Sequence, residues 1–307
     1  MSFFSLMAAL LLEHFQPLPQ RLRHYPLFTR YARYLERKLN AGQYRHGVIG
    51  WLLAVVPLMV VAAAGYYALY SINPILGWLW NAGILYLTLG FKHFSAAAAE
   101  VGTALRSENL DQARELLARW SGRQTEELDA GEIARLGIEQ TLACAHKHLF
   151  GGIFWFAVLG PAGAVLYRFA GQLGQKWGGL DEQESGPFGQ FAVRAFEWLD
   201  WLPLRLTAIS FAVVGDFEDA MYCWRSQADN WVQRGLGIVL ASGAGALGVK
   251  LGEPLRAGGA VEFRPELGLG DEADADYMQS ALGLVWRALG LWLVLLLLLT
   301  LARWTGG

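Results

Sequence analysis

Long apolar runs, separated by polar segments, dominate the sequence, and their lengths predict helices that cross a lipid bilayer. A membrane-spanning helix needs about 20 predominantly apolar residues. The runs that come near this length lie at about 48–70, 75–91, 149–170, 198–214 and 281–301. The pattern therefore predicts an all-α fold, a polytopic transmembrane helical bundle.

Prolines within and between these runs predict kinks and turns. Pro57 lies inside the first run and predicts a kink, while Asn73 and Pro74 predict the tight turn before the second run. Residues 2–12 form another apolar run, which is too short to span and lacks the basic start of a secretory signal. We expect a short, tilted or interfacial helix there.

The segment 92–147 is charged and has the periodicity of water-facing helices. Asp129 followed by Glu132 has the spacing of a capping box, which predicts that a helix starts at Asp129. The helix before it shows one apolar face, formed by Leu110, Ala113, Leu117 and Trp120. We expect the two helices to pack as a cytoplasmic helical hairpin.

Basic residues are distributed unevenly among the polar segments, and this bias predicts the orientation of the chain. They are frequent in 16–46, 92–147 and 216–280, whereas 171–199 contains only Lys176 and Arg194. Placing the three basic segments in the cytoplasm lets the predicted spans alternate. We expect a multi-pass protein of the bacterial inner membrane, with 216–280 as a cytoplasmic, glycine-rich loop.

The composition supports a membrane protein. Hydrophobic residues make up 54% of the 307 residues, charged residues make up 17%, and the mean hydropathy is +0.28. The lipid bilayer is therefore an expected partner. A formal net charge of −2 offers no basic footprint for nucleic acid. The two cysteines, Cys144 and Cys223, are too few for a disulfide framework, and we expect reduced thiols.

Four charged residues lie in or at the ends of apolar segments, where an isolated charge is costly. They are Arg168, Asp200, Arg205 and Arg287. One hypothesis is a polar cleft between helices, in which Asp200 pairs with an arginine and another arginine binds an anion. The alternative is that these side chains reach the membrane interface and form structural pairs.

The stretch GRQTEELD (122–129) places Arg123, Thr125 and Asp129 in the linker of the predicted hairpin. An arginine, a hydroxyl group and helix-start amides together can hold a phosphate or a carboxylate. The alternative is a helix cap beside a solvated arginine. Both interpretations are compatible with the residues.

Two further patterns carry weaker signals. Cys144 and His148 are four residues apart and could supply two metal ligands, but no third ligand is apparent, so no metal site is predicted. The glycines between Gly235 and Gly252 indicate either a flexible backbone or tight helix contacts. They do not form a nucleotide-binding fingerprint.

Six segments stand out when they are taken in chain order. They are GRQTEELD (122–129), EQTLACAHKH (139–148), IFW (153–155), YRFAGQLGQKWGG (167–179), SGAGALGVKLGEPLRAGG (242–259) and RPELGLGD (264–271). In this order they resemble the CobD/CbiB family, membrane proteins of cobalamin biosynthesis, which has stretches close to GRDTxxLD, ESVAENTSDG, LFW, YRAVNTLDSMVGY, AGALGVRLGGP and KPWIGD. The resemblance covers roughly residues 30–300.

The resemblance implies a function that the residues alone do not. The family joins an amino alcohol phosphate to adenosylcobyric acid, with ATP and a divalent metal, so the implied ligand is a corrinoid or another anionic small molecule. If this chain catalyses, Glu139 is the remaining acid, and Arg123 and Arg168 are the anion holders. The other site residues that persist are Thr125, Asp129 and Tyr167.

The departures from the family concern its acidic residues. Where the family has Glu-Asn-Thr-Ser-Asp, this chain has ACAHK (143–147), and where the family has Asn-Thr-Leu-Asp, it has GQLG (171–174). A Mg²⁺ site cannot be assembled from what remains, because Glu139 alone is a weak ligand. ATP and Mg²⁺ are therefore expected cofactors only if the synthase activity is retained.

A second resemblance fits these losses. LDWLPLRLTAISFAVVGDFEDAMYCW (199–224) is similar to the corresponding helix of AmpE. AmpE is an inner-membrane protein linked to β-lactamase induction, and it also lacks the acidic motif. The block 242–271 favours the cobalamin branch instead. The alternative function is therefore a non-catalytic, AmpE-like signalling protein, and a homo-oligomer is left open for either function.

Overall fold

The computed structural model describes residues 2–16, 25–178, 182–257 and 260–305. Residues 17–24, with Arg21 and Arg23 of the basic segment 16–46, lie outside this part of the chain. The helices are α1 Ser2–Phe15, α2 Pro26–Leu39, α3 Tyr44–Ile72, α4 Pro74–Thr88, α5 Phe91–Arg106, α6 Leu110–Ser121, α7 Ala130–Ala145, α8 Gly151–Leu159, α9 Pro161–Gly178, α10 Glu182–Val214, α11 Phe217–Gln227, α12 Arg234–Leu247 and α13 Ala275–Thr305. One short hairpin pairs β1 Leu255–Ala257 with β2 Ala260–Glu262, so the all-α prediction is confirmed.

Within the described residues, four helical stretches are long and apolar enough to cross a membrane. They are Tyr44–Ile72, Pro74–Arg106, Ala130–Leu159 and Ala275–Ala302. The first, second and fourth contain the predicted runs at 48–70, 75–91 and 281–301. Helix α3 continues through Pro57, and the Asn73 side chain caps α4 by accepting from the Ile75 amide at 2.8 Å.

The prediction of one continuous helix over 149–170 is wrong. Helix α8 ends at Leu159, Gly160 adopts a φ of +65°, and α9 starts at Pro161. A left-handed glycine followed by a proline ends a helix, because proline lacks the amide hydrogen that would continue it. The stretch suited to spanning starts instead at Ala130 and includes the predicted second helix of the hairpin.

The run at 198–214 belongs to the longer helix α10 and is not among the four stretches suited to spanning. The segment 171–199, which the alternation of the predicted spans leaves outside the cytoplasm, is largely helical as well. Helix α9 continues to Gly178 and α10 begins at Glu182, while residues 179–181 lie outside the described residues. Lys176 and Arg194 therefore lie on helices, which a loop prediction based on composition missed.

Helices α6 and α7 occupy the positions predicted for the two helices of the hairpin, and its cytoplasmic placement stays a prediction. Ala113 and Leu117 of the apolar face are buried, and α6 ends at the left-handed residue Gly122. The Asp129 side chain accepts from the Glu132 amide, and the Glu132 side chain accepts from the Asp129 amide. The capping box that starts α7 is therefore confirmed.

The segment 216–280 is not a loop throughout, since it contains α11, α12 and the β-hairpin. Several of its described glycines make tight contacts, the second of the two predicted alternatives. A methyl group on Gly245 would lie 2.5 Å from the backbone oxygen of Asp219, and one on Gly243 would lie 2.6 Å from the Leu142 side chain. Glycine allows these backbones to approach closely.

The chain divides into two compact units. The first unit comprises Met1–Gly90, Gly151–Leu202 and Leu296–Gly307, and the second comprises Phe91–Phe150 and Pro203–Leu295. A core in the first unit is shared by α2, α3, α9 and α10 and includes Trp177 against Phe188. In the second unit, the Trp292 indole donates to the Ser210 hydroxyl at 2.7 Å.

Candidate functional site

Glu139 lies at the centre of a buried polar cluster in the second unit. It is on α7 and is 7% exposed. One of its carboxylate oxygens, Oε1, accepts hydrogen bonds from the Gly252 amide at 2.9 Å and from the Arg264 guanidinium. An ionised carboxylate is stable at such a depth when a cation and hydrogen bonds compensate for the lost water. The candidate acid is therefore held by the protein itself.

Arg264 connects Glu139 to the segment that follows α12. Its Nη2 also donates to the Gly252 carbonyl at 3.1 Å, and its guanidinium lies 5.1 Å from the centre of the Trp231 ring. Its Nε is buried and has no hydrogen-bond partner in the described part of the chain. A planar guanidinium suits this arrangement because it can donate in several directions and stack on an indole.

Backbone conformation near Gly252 brings these groups together. Gly252 has a φ of +77°, and a methyl group there would collide with the Pro265 carbonyl. Glu253 has a φ of +61°, which costs a non-glycine residue about 1–2 kcal/mol. Its carboxylate forms an ion pair with Arg135 of α7. The strain at Glu253 is thus offset by a second link between α7 and this segment.

A third pair joins Arg123 to Glu262 of β2, with 3.3 Å between Nη1 and Oε2. About half of each side chain is exposed, 50% for Arg123 and 48% for Glu262. An exposed pair of this kind contributes roughly 0–1 kcal/mol to stability, so Glu262 holds the Arg123 side chain only weakly.

The other residues predicted for the anion clamp make local bonds. The buried Thr125 hydroxyl donates to the Arg114 carbonyl at 2.7 Å. Asp129 accepts from the Glu132 amide at 2.8 Å as the cap of α7. These contacts agree with the capping alternative, while a role of either residue in binding an anion stays a prediction.

Tyr167, Arg168 and Asp200 belong to the first unit. The Tyr167 hydroxyl donates to Asp200 Oδ1 at 2.7 Å, and both residues are buried. A methyl group on Gly151 would collide with the Tyr167 ring, so glycine makes room for it. The Arg168 guanidinium lies 5.5 Å from the centre of the Tyr25 ring. Tyr167 is thus a hydrogen-bond donor to Asp200, and the expected pairing of Asp200 with an arginine stays a prediction.

The remaining predicted residue, Arg205, lies on α10 in the second unit with Arg123, Thr125, Asp129 and Glu139. The predicted site residues therefore fall into two groups, one in each unit. A search of the described residues finds no group of three or more histidine, cysteine, aspartate or glutamate side chains suited to a metal ion. The buried ring of His146 instead lies 3.0 Å from the Thr207 hydroxyl.

Four residues of the polar cluster were missed by sequence reasoning. Arg264 and Glu139 are separated by 125 residues, so no local pattern connects them. A signal was nevertheless present, because both residues lie in segments that carry the family resemblance. The missed residues are Arg135, Gly252, Glu253 and Arg264.

Comparison with known proteins supports the family resemblance. A family model described as CobD/Cbib protein matches residues 6–285. The chain is 38% identical over 299 residues to the cobalamin biosynthesis protein CobD of Stutzerimonas stutzeri, with 96% of this chain and 97% of that protein covered. It is 39% identical over 222 residues to the protein of the same name from Chromobacterium violaceum, covering 72% and 71%. No solved structure matches the chain. The chain therefore belongs to the CobD/CbiB family, whose members are membrane proteins.

Proposed function

We propose that this protein acts in cobalamin biosynthesis, at the condensation that joins an amino alcohol phosphate to adenosylcobyric acid through an amide bond. The observation that carries the proposal is the family match over residues 6–285. The relatives from Stutzerimonas stutzeri and Chromobacterium violaceum are both named for cobalamin biosynthesis. The arginine-rich cluster of the second unit supports the same reaction class, because the amino substrate carries a phosphate.

In this proposal the two arginines near Glu139 have different roles. Arg123 is half-exposed and exchanges Glu262 for the substrate phosphate, which a guanidinium can bind through two parallel hydrogen bonds. Arg264 is buried and fixes Glu139 together with the Gly252 amide. Glu139 is therefore a positioning residue, since its Oε1 already accepts two hydrogen bonds.

The residues at this place do not fit a Mg²⁺ site. Hard cations of this kind bind through several oxygen ligands, and the segment ACAHK (143–147) offers no carboxylate near Glu139. Arg264 forms an ion pair with Glu139, so its positive charge already balances the carboxylate that a metal ion would otherwise neutralise. Mg²⁺ in this reaction would need ligands other than those of the family motif.

The proposal places the protein in the bacterial inner membrane as a multi-pass protein. The four stretches suited to spanning support this placement, and the basic segments 16–46 and 92–147 favour the cytoplasmic side for the ends that carry them.

Complementation of a bacterial strain that lacks its own adenosylcobinamide-phosphate synthase tests the proposal. We expect the wild-type chain to restore growth where cobalamin must be made. Arg123→Gln should abolish growth, whereas the matched variant Arg119→Gln should not, because Arg119 is an exposed arginine of α6 paired with Glu115. Each protein is quantified in the membrane by immunoblot.

Absence of growth with wild-type protein present in the membrane would contradict a catalytic role. The non-catalytic, AmpE-like alternative would then be favoured, and the loss of carboxylates at 143–147 and 171–174 is the observation that supports it. Arg168→Ala tests a site in the first unit under either function. Unchanged behaviour of that variant would assign Arg168 a structural role.

A further inference from the structure

Helix α2 has a face that the proposed condensation does not use. Its buried face consists of Phe28, Ala32 and Leu35, which pack into the core of the first unit. These positions recur at four and three residues, as expected for one side of a helix. The rest of the α2 surface is directed away from this core.

The side opposite the buried face is a stripe of arginines, formed by Arg30, Arg33 and Arg37. They recur at three and four residues, and all three are exposed. No carboxylate in the described part of the chain forms an ion pair with them. Like charges at this spacing on a helix repel each other, so the stripe is destabilising until an anion neutralises it.

Further basic residues extend the stripe at its ends. Lys38 on α2 and Arg45 in the first turn of α3 are both exposed. The one acid between residues 25 and 49 is Glu36, against the five basic residues Arg30, Arg33, Arg37, Lys38 and Arg45. The surface around α2 therefore carries a clear excess of positive charge.

A flank of α2 beside the arginines is apolar and aromatic. Leu27, Tyr31 and Tyr34 recur at four and three residues and are all exposed, Leu27 at 79%. The Tyr31 hydroxyl donates to the Leu53 carbonyl of α3 at 3.1 Å. Leu53 lies on the exposed apolar face of α3 with Val56, in a stretch suited to spanning. The flank of α2 is thus continuous with a surface that faces hydrocarbon when α3 spans.

We propose that α2 lies at the membrane interface and that its Arg30, Arg33 and Arg37 stripe binds the phosphate headgroups of anionic phospholipids. A helix with an apolar flank and a cationic side settles in this region of a bilayer, with its apolar side chains towards the acyl chains. Anionic headgroups neutralise the mutual repulsion of the arginines. Tyr31 and Tyr34 fit the same depth, because amphipathic aromatic rings concentrate at the interface.

Lipid binding by the detergent-purified full-length protein tests this inference. Phosphatidylglycerol or phosphatidylcholine of the same acyl composition is titrated, and bound lipids are counted by native mass spectrometry. We expect several-fold tighter binding of phosphatidylglycerol, with a preference that weakens between 100 and 500 mM salt. In the triple variant R30Q/R33Q/R37Q, the preference for phosphatidylglycerol should fall by a factor of at least about five. One basic residue near an anionic surface already contributes roughly this factor.

Two controls separate the stripe from general charge effects. The variant R119Q/R225Q/R234Q removes three exposed arginines from the second unit and should keep the preference. The variant R30K/R33K/R37K keeps the charges and should also keep it. Folding of each variant is checked by circular dichroism and gel filtration.

Equal binding of the two lipids by the wild type would overturn the inference, and so would an equal loss in the second-unit control. A free phosphate site is distinguished by repeating the titration with 20 mM inorganic phosphate. Abolition of the phosphatidylglycerol preference by that concentration of phosphate would assign the stripe to a soluble anion instead.

Discussion

The two groups of candidate site residues bury their carboxylates in different ways. Glu139 in the second unit is neutralised by a cation, Arg264, and by a backbone amide. Asp200 in the first unit accepts from the Tyr167 hydroxyl. The first arrangement links α7 to a segment far along the chain, and the second links two helices of one bundle. Loss of the interactions of Glu139 should therefore have different consequences from loss of those of Asp200.

Removal of Glu139 should have the largest effect on stability. Glu139→Ala leaves the Arg264 guanidinium buried without its counter-ion, and breaking a buried pair costs about 3–5 kcal/mol. Thermal unfolding of the purified protein in detergent measures this loss. Glu262→Ala serves as the matched control because it breaks a half-exposed Arg–Glu pair in the same unit. Equal losses for both variants would contradict burial as the cause.

Removal of the tyrosine hydroxyl should have an intermediate effect. Tyr167→Phe keeps the ring beside Gly151 but leaves Asp200 without this donor, which costs about 1–3 kcal/mol in a buried position. The same unfolding assay checks it. Tyr66→Phe is a control, because it removes the hydroxyl of a partly exposed tyrosine on α3. If Tyr167→Phe lowered the free energy of unfolding as much as Glu139→Ala, the two groups would not differ in stability.

The half-exposed pair should contribute least to stability. Glu262→Gln should change the free energy of unfolding by roughly 0–1 kcal/mol, since exposed ion pairs are weak. It should also leave Arg123 without its competing carboxylate and so favour anion binding. Titration with inorganic phosphate, followed by the shift in melting temperature, measures the second effect. A smaller phosphate shift than in the wild type would contradict the role given to Arg123.

Thiol labelling can show whether a destabilising substitution in the second unit exposes its buried residues. Burial raises the pKa of the Cys223 thiol to about 11, so the thiol stays protonated below that pH and reacts slowly with maleimide. In a Cys144→Ala background, labelling at pH 7.5 should be slow, and it should rise as the pH approaches 11. Glu139→Ala should accelerate it by exposing α11, whereas Tyr167→Phe should not. Equal acceleration by both variants would contradict a specific effect of Glu139 on the second unit.

Local sequence signals predicted the local structure well. The Asp129 and Glu132 spacing identified the start of α7, and the apolar periodicity of α6 identified its buried side. Gly160 and Pro161 also indicate a helix break in the sequence. The prediction of one helix over 149–170 was based on hydropathy and did not include this signal. Hydropathy averaged over a long window is insensitive to one or two residues that end a helix.

The polar cluster around Glu139 could not be predicted in the same way. The partners of Glu139 lie at Gly252 and Arg264, more than a hundred residues away. The positive φ of Gly252 and Glu253 depends on how the segment after α12 returns to α7. The resemblance identified both segments, yet only the fold shows that their charges meet.

A double-mutant cycle between Glu139 and Arg264 tests the central claim most directly. Unfolding free energies are measured for the wild type, Glu139→Gln, Arg264→Gln and the double variant. The structure predicts a coupling of roughly 1–3 kcal/mol, as found for residues in direct contact within one network. Losses that simply add would show that the two side chains act independently, and Glu139 would then be an acid without a fixed partner.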